Sequence, residues 1–272
     1  MKRFAALRRL FYEKRWCSRL FFFVLLLLVW EAVVKLTRIS PLLLPPVEQV
    51  AQALWAGLTQ GVLFLQVLFS LGIIALGFLI GIVLALGLGI AARLSPFFDR
   101  LTDTLTVLAH PLPGMALLPL IVIWFGTGDP AVTLVIVHAC LWPLLLSLQS
   151  GMQNAPALYT DLGRSFSMGK ARIVLEILLP AALASVLSGL RIGWARAWRA
   201  LISAEMIFGA IGATGGLGWY IFKARAMMNT AGLFAGIVLV AVIGMLVEGL
   251  LFDRLEKRTL RKWAVRTEEQ TP

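Results

Sequence analysis

Five ionisable side chains lie inside long apolar stretches of the sequence: His110, His138, Arg196, Arg199 and Glu205. A charge at the centre of a bilayer costs about 2.5–3.5 kcal/mol even on lenient insertion scales, so we expect neither arginine to face lipid. Arg196 and Arg199 are three residues apart and therefore share one face of a helix. They could line a translocation path and favour an anionic substrate. Alternatively, they pair with another helix or snorkel to the membrane surface, and Glu205 pairs with another span.

His110 stands directly before the sequence Pro-Leu-Pro, which breaks a helix. This histidine, together with Pro113, could line a cavity, and the alternative is a hydrogen-bonded packing residue. Neither His110 nor His138 has a carboxylate, Cys or second His three or four residues away, so no metal site is predicted. The sequence has no catalytic triad pattern and no G-x-x-x-x-G-K-[ST] loop. We therefore expect no enzymatic activity and no nucleotide site on this chain.

A hydrophilic stretch of about 30 residues begins at Gly151. Within it, Leu158, Leu162 and Phe166 recur every fourth residue, which predicts a short helix with one apolar stripe. Asp161 and Arg164 fall off this stripe. Such a helix at a membrane surface could dock onto a partner protein, or it could pack on its own bundle or on lipid.

The composition explains where these residues must sit. Of the 272 residues, 60% are hydrophobic and 14% are charged, whereas a soluble domain carries about 25% charged residues. The mean hydropathy is +0.88. These values exclude a disordered, collagen-like or disulfide-stabilised chain and indicate an integral membrane protein. The net charge of +11 is interpreted as basic loops on one side of a membrane and not as a nucleic-acid surface.

Six segments are predicted to span the membrane, at about 16–36, 62–92, 104–125, 131–150, 188–208 and 230–252. Prolines interrupt the third segment. Residues 41–60 are too polar to span and predict an interfacial amphipathic helix that starts at Pro45 and Pro46. Gly77 and Gly81 have the spacing that lets another helix approach closely. The glycine-rich stretch 209–218 predicts a turn.

The distribution of basic residues predicts the orientation. With the N-terminus inside, the cytoplasmic segments hold 19 of the Lys and Arg residues and the outer segments hold four. This bias places both termini and the loop between the fourth and fifth spans in the cytoplasm.

The segment 161–180, DLGRSFSMGKARIVLEILLP, resembles a loop of the permease subunits of binding-protein-dependent ABC importers. That loop has the form E-A-A-x-x-x-G-x9-I-x-L-P. The positions that correspond to its defined residues are Asp161, Leu162, Gly163, Ser167, Ile177, Leu179 and Pro180. The sequence departs from the form at the first four, and Gly169 comes two residues late. The segments 111–128, 188–209 and 215–221 resemble the nitrate/sulfonate/taurine branch, and the similarity covers about residues 60–255.

The resemblance implies an all-α integral membrane protein: a type I ABC importer permease-like bundle of six transmembrane helices with a cytoplasmic coupling helix. Such a permease moves a small substrate from an extracytoplasmic binding protein across the bacterial cytoplasmic membrane. The branch implies an anion such as a sulfonate or taurine, nitrate or an aromatic carboxylate. The implied partners are a second permease copy as a homodimer, two ATPase subunits, the binding protein and the lipid bilayer. ATP and Mg²⁺ would bind the ATPase, and this chain would carry no cofactor.

The coupling helix would cover about Pro156–Met168 and insert its apolar residues into a groove of the ATPase. The implied coupling residues are Leu158, Tyr159, Asp161, Leu162, Gly163, Arg164, Phe166, Ser167, Met168, Gly169, Ile177, Leu179 and Pro180. The candidate translocation path comprises His110, Pro113, Arg196, Arg199 and Glu205.

These features divide the chain into four parts. Residues 1–19 form a basic cytoplasmic tail, 20–60 the first span with the interfacial helix, 61–252 the core permease domain with its coupling loop at 151–187, and 253–272 a second cytoplasmic tail. The competing hypothesis is an autonomous secondary transporter or channel. That class predicts polar residues over several spans and an internal repeat.

Overall fold

The computed structural model describes residues 15–209 and 215–256, with side chains from residue 21 onward. Within these ranges all regular structure is helical. The helices are α1 (Arg15–Thr37), α2 (Val47–Thr59), α3 (Val62–Leu94), α4 (Pro96–Ala109), α5 (Leu118–Phe125), α6 (Asp129–Gln153), α7 (Ala157–Ser165), α8 (Lys170–Ala181), α9 (Leu183–Phe208), α10 (Leu217–Ala226) and α11 (Thr230–Glu256).

Three of the described helices, α3, α6 and α11, are long and apolar enough to cross a membrane. Two bent pairs raise this number to five if each pair forms one span. The segment Gly114–Phe125 is bent by 91° from α4, and α9 is bent by 66° from α8. Helix α1 has 23 residues, a length of about 34 Å. Counted with α1, the described helices can supply the six spans that the sequence predicts.

Helix α6 forms the centre of the bundle. In its apolar window 72% of the residues are buried, against 28% in α3 and 22% in α11. Glycines on the two neighbouring helices, α3 and α9, allow them to pack closely against α6. A Cβ atom at Gly77 of α3 would lie 2.7 Å from Cγ2 of Ile136, and one at Gly81 would overlap Cys140. The close approach predicted for these two glycines is therefore confirmed.

The prolines start and break helices where the sequence predicts. Helix α2 begins at Val47, directly after Pro46, and Glu31 of α1 accepts a hydrogen bond of 3.1 Å from the Val47 amide. In the third span, the break falls between Ala109 and Gly114, but its first helix begins at Pro96 and not near residue 104. Proline is favoured at the first turn of a helix because its missing N–H has no partner there in any case.

Two predicted loops contain helices. The segment 151–187 holds α7 and α8, and α9 begins at Leu183, five residues before the predicted fifth span. The glycine-rich stretch 209–218, of which residues 210–214 lie outside the described ranges, ends inside α10. Helix α10 packs against α9 and α11. Its ten residues are too few to span a membrane, so a search for long apolar segments does not find it.

Candidate functional site

A cavity of about 660 Å³ lies at the break in the third span. Its walls come from the backbone turn after α4, the middle of α6 and one face of α9. The lining residues are His110, Pro111, Leu112, Pro113, Gly114, Met115, His138, Ala139, Trp142, Arg196, Arg199, Ala200 and Ser203. Irregular backbone at membrane depth is tolerated where it lines such a cavity, because water or a ligand can satisfy its polar groups.

The cavity wall is rich in hydrogen-bond donors. Nη1 of Arg196 lies 3.5 Å from Nδ1 of His110, and Nε of Arg199 donates to the carbonyl of Ala195 at 3.0 Å. The indole N–H of Trp142 is buried and has no acceptor among the described residues. The lining residues include neither Asp nor Glu. A site with two guanidinium groups and no carboxylate suits an anionic ligand.

The structure brings together four of the five residues predicted for the path. Arg196, Arg199 and Ser203 share one face of α9 because they are separated by three, four and seven residues, and His110 and Pro113 face them across the cavity. Glu205 does not line this cavity. Its side chain is fully buried, and it pairs with another span by accepting a hydrogen bond from Ser70 of α3.

The helix predicted over Pro156–Met168 is the shorter α7, in which Pro156 precedes the first turn and Phe166 follows the last. The three stripe residues are exposed, by 63% at Leu158, 47% at Leu162 and 79% at Phe166, and Tyr159 beside them is exposed too. No described residue covers this stripe. Asp161 and Arg164 form an ion pair of 3.6 Å at the surface, where screening by water leaves it little energy.

The opposite side of α7 rests on α8 through Gly163. A Cβ atom there would lie 2.8 Å from Cδ1 of Ile177 and 3.1 Å from Cγ1 of Ile173. The small residue therefore lets α7 approach α8 closely. Leu179 and Pro180 lie at the end of α8, after a π-helical turn at Val174–Leu178 and next to the 66° bend.

The backbone after α7 explains the glycine of the importer loop. Ser167, which occupies that glycine's position, has a φ angle of +55°. Its amide bonds to the Arg164 carbonyl at 2.8 Å, and the Met168 amide bonds to the Gly163 carbonyl at 3.0 Å. This pattern ends a helix with a left-handed residue, which is usually glycine. Gly169 has an extended backbone instead, so it does not take over this role.

Sequence reasoning expected Glu205 to pair with another span, but it missed the partners of Glu205 and the contact of Lys170. Nζ of Lys170 donates to the carbonyl of Leu94 at the end of α3, at 2.8 Å. Ser70, Glu205 and Gly218 form a buried network. Two signals were visible in the sequence, a serine in one apolar helix and a carboxylate in another. Ser70 and Glu205 are 135 residues apart, however, so only the folded chain brings them together.

The sequence model of the inner membrane components of binding-protein-dependent transport systems matches residues 77–261. The chain belongs to this family. The permease is 35% identical over 243 residues to the taurine transport system permease protein TauC of Escherichia coli, covering 88% of this chain and 86% of TauC. It is 29% identical over 248 residues to the putative aliphatic sulfonates transport permease protein SsuC of Bacillus subtilis, covering 91% of this chain and 88% of SsuC. The predicted resemblance is confirmed.

A chain of the MetNI methionine ABC transporter, solved in inward-facing conformations, has the same fold. The TM-score is 0.57 at 16% identity, over 72% of this permease and 96% of that chain. The bundle expected from the sequence, that of a type I importer permease, is therefore confirmed. The family also decides between the two functional hypotheses: the protein is a permease subunit of an importer in the cytoplasmic membrane and not an autonomous transporter or channel.

Proposed function

We propose that this permease moves a small anion through the cavity beside Arg196 and Arg199. The observation that carries the proposal is the lining of the cavity, which holds two arginines and neither Asp nor Glu. A cation would meet two like charges there without a carboxylate to compensate them. The names of the relatives agree on one group, since taurine, a zwitterion, and the aliphatic sulfonates both carry a negatively charged sulfonate. Nitrate and aromatic carboxylates are the other candidates.

The proposed energy source is a separate ATPase, which holds ATP and Mg²⁺ and binds the exposed stripe of α7. Helices that dock into a groove present apolar anchors at a spacing of three or four residues, as Leu158, Leu162 and Phe166 do. Two permease copies, two ATPase subunits and an extracytoplasmic binding protein complete the proposed importer. In it, α7 transmits closure of the ATPase dimer to the bundle.

Contacts between helix ends support the grouping of the predicted cytoplasmic segments on one side of the membrane, and the distribution of basic residues favours the cytoplasm as that side. Lys170 bonds to the carbonyl of Leu94, which places the start of α8 beside the end of α3. Arg191, near the start of α9, forms ion pairs with Glu248, Asp253 and Glu256 at the end of α11. Lys170 and Leu94 fall in segments that are predicted to be cytoplasmic, and the Arg191 cluster lies at the predicted cytoplasmic ends of the fifth and sixth spans. At the other end, the Thr230 hydroxyl donates to the Leu42 carbonyl at 2.8 Å. Thr230 begins the predicted sixth span at its outer end, and Leu42 lies in the predicted outer segment 41–60.

The proposal is tested with the assembled importer in proteoliposomes. Uptake of radiolabelled taurine, an alkanesulfonate, nitrate and an aromatic carboxylate is measured for the wild type and for Arg196→Gln and Arg199→Gln. Hydrogen bonds to charged groups contribute about 1.5–3 kcal/mol, so each variant should lose about tenfold to a hundredfold in the uptake of the transported anion. Arg225→Gln, at an exposed site on α10 outside the cavity, is the matched control and should change little. Uptake at the wild-type rate by both cavity variants would refute the assignment of the path.

A further inference from the structure

The carboxylate of Glu205 is enclosed at the meeting point of three helices. Its side chain has no exposed surface, although an isolated buried carboxylate is expensive in free energy. Among the described residues, no Lys, Arg or His forms an ion pair with it. Hydrogen bonds and helix dipoles must therefore replace the water that this carboxyl group has lost.

The compensation comes from the start of α10 and from α3. Oε1 of Glu205 accepts a hydrogen bond of 2.7 Å from the Ser70 hydroxyl, and Oε2 accepts one of 2.8 Å from the Gly218 amide. The Ser70 oxygen in turn accepts the Leu217 amide at 2.9 Å. The first amides of a helix have no partner within the helix, and its N-terminus carries a partial positive charge. The two side chains thus satisfy the first two amides of α10.

The glycines around the carboxylate are part of the same arrangement. A Cβ atom at Gly216 would overlap the Glu205 carboxylate, and one at Gly218 would lie 2.7 Å from Cβ of Glu205 and overlap the Ile202 carbonyl. Larger residues at these two positions would push α10 away from α9. Gly216 and Gly218 are therefore needed for a close approach to one carboxyl group.

This network connects the cavity wall to the last span. Glu205 is on α9, two residues after Ser203, which lines the cavity. Helix α10 continues from the network to α11, where a Cβ atom at Gly236 would lie 2.7 Å from Cγ1 of Ile221 and 3.0 Å from Cδ1 of Tyr220. Helices α9 and α11 also meet directly, through the Arg191 ion pairs and through the Trp198 indole, which donates to the Val240 carbonyl at 3.3 Å. Helix α10 adds a link between the end of α9 and the start of α11, and this link holds as long as the start of α10 stays bound.

We propose that Ser70 and Glu205 form a clamp that holds the start of α10 to α3 and α9, so that the end of α9 and the start of α11 move together during transport. Glu205 is then a positioning residue that does not touch the substrate. The inference rests on the proposed function in one respect, because α9, the helix that is proposed to move, carries Arg196 and Arg199. The clamp itself is a structural claim that is independent of the substrate.

The direct test measures amide hydrogen exchange of the segment 215–226 in the assembled importer. Glu205→Ala and Ser70→Ala remove partners of the Leu217 and Gly218 amides, and Glu205→Gln replaces one acceptor oxygen with a donor. A buried donor left unsatisfied costs about 1–3 kcal/mol, so the protection of these amides should fall about tenfold or more. Glu256→Gln, which changes an exposed carboxylate in the Arg191 cluster, is the control and should leave the protection unchanged.

The functional test measures substrate taken up per ATP hydrolysed. Loss of the clamp should lower this ratio about fivefold or more without changing the KM for uptake, because the cavity residues stay in place. Addition of 50–100 mM sodium acetate should restore both the ratio and the amide protection in Glu205→Ala, since acetate replaces the missing carboxylate, but not in Ser70→Ala.

Two results would overturn the clamp. The first is wild-type amide protection in both Glu205→Ala and Ser70→Ala. The second is a fall in protection while uptake per ATP remains at the wild-type value, which would give the network a role in folding alone. If Glu205→Ala fails to assemble, Ser70→Ala and Glu205→Gln decide by the same two measurements. If the proposed function is wrong, the result is different: the Arg196 and Arg199 variants take up substrate at the wild-type rate.

Discussion

Phe166 offers the sharpest test of how the permease binds its ATPase. Its side chain is 79% exposed at the end of α7, and no described residue covers it. Aromatic side chains bury 150–250 Å² each, so roughly 150 Å² of apolar surface is available for a partner at this position. At about 25 cal/mol per Å², covering this surface contributes about 3–4 kcal/mol to binding. Truncation to alanine leaves a methyl group and should remove about 3 kcal/mol, which weakens binding about a hundredfold.

The assay titrates the purified ATPase subunit onto permease reconstituted in nanodiscs and measures Kd by fluorescence anisotropy. Phe166→Ala should raise Kd about a hundredfold, and Phe166→Asp should raise it further because a charge is then buried in the groove. The matched control is Leu26→Ala on α1, where an apolar side chain is 67% exposed but lies outside the proposed interface. An unchanged Kd for Phe166→Asp, with normal membrane insertion, would contradict the docking role of α7.

Two further predictions concern the backbone and packing of α7. Ser167→Gly relieves the left-handed strain at φ +55° and should stabilise the end of α7 by about 0.5 kcal/mol. Ser165→Gly, at the last helical residue, should destabilise the helix by about 0.5 kcal/mol. Hydrogen exchange of residues 157–168 measures both, and equal effects would show that the strain has no cost. Gly163→Leu places atoms within 2.8 Å of Ile177 and should cost about 1–3 kcal/mol by overpacking, with loss of ATPase binding. Gly87→Leu on α3, outside the coupling loop and with nothing within 4 Å of an added Cβ atom, is its control. If Gly163→Leu binds the ATPase as the wild type does, α7 does not depend on this contact.

Much of the architecture follows from one-dimensional patterns. The apolar runs of α3, α6 and α11 are long enough to identify a membrane helix by length alone, and the proline pairs mark the start of α2 and the break after Ala109. The spacing of Leu158, Leu162 and Phe166 identifies an amphipathic helix because it matches the helical period. These features depend on neighbours within a few residues, so the local sequence contains the information.

The boundaries of the polar segments were less accurate. Helix α8 lies in the predicted coupling loop, and α10 begins in the predicted turn and continues through a segment for which the sequence predicts no element. Hydropathy is a poor guide outside the apolar core, where short helices alternate with turns. The third span was predicted to begin near residue 104, but α4 starts at Pro96 and includes Asp99, Arg100 and Asp103. Charged residues at the end of a span do not stop a helix, since their side chains can reach the aqueous surface.

The sequence by itself determined the class of protein, the central apolar helices and the four cavity residues His110, Pro113, Arg196 and Arg199 as candidates. Only the tertiary structure decided that these four line one cavity while Glu205 does not. The physical reason is that a helix has several faces, and its neighbours decide which face meets a cavity and which is buried. Arg199 and Glu205 lie six residues apart on α9, yet the first reaches the cavity and the second reaches Ser70 and the start of α10.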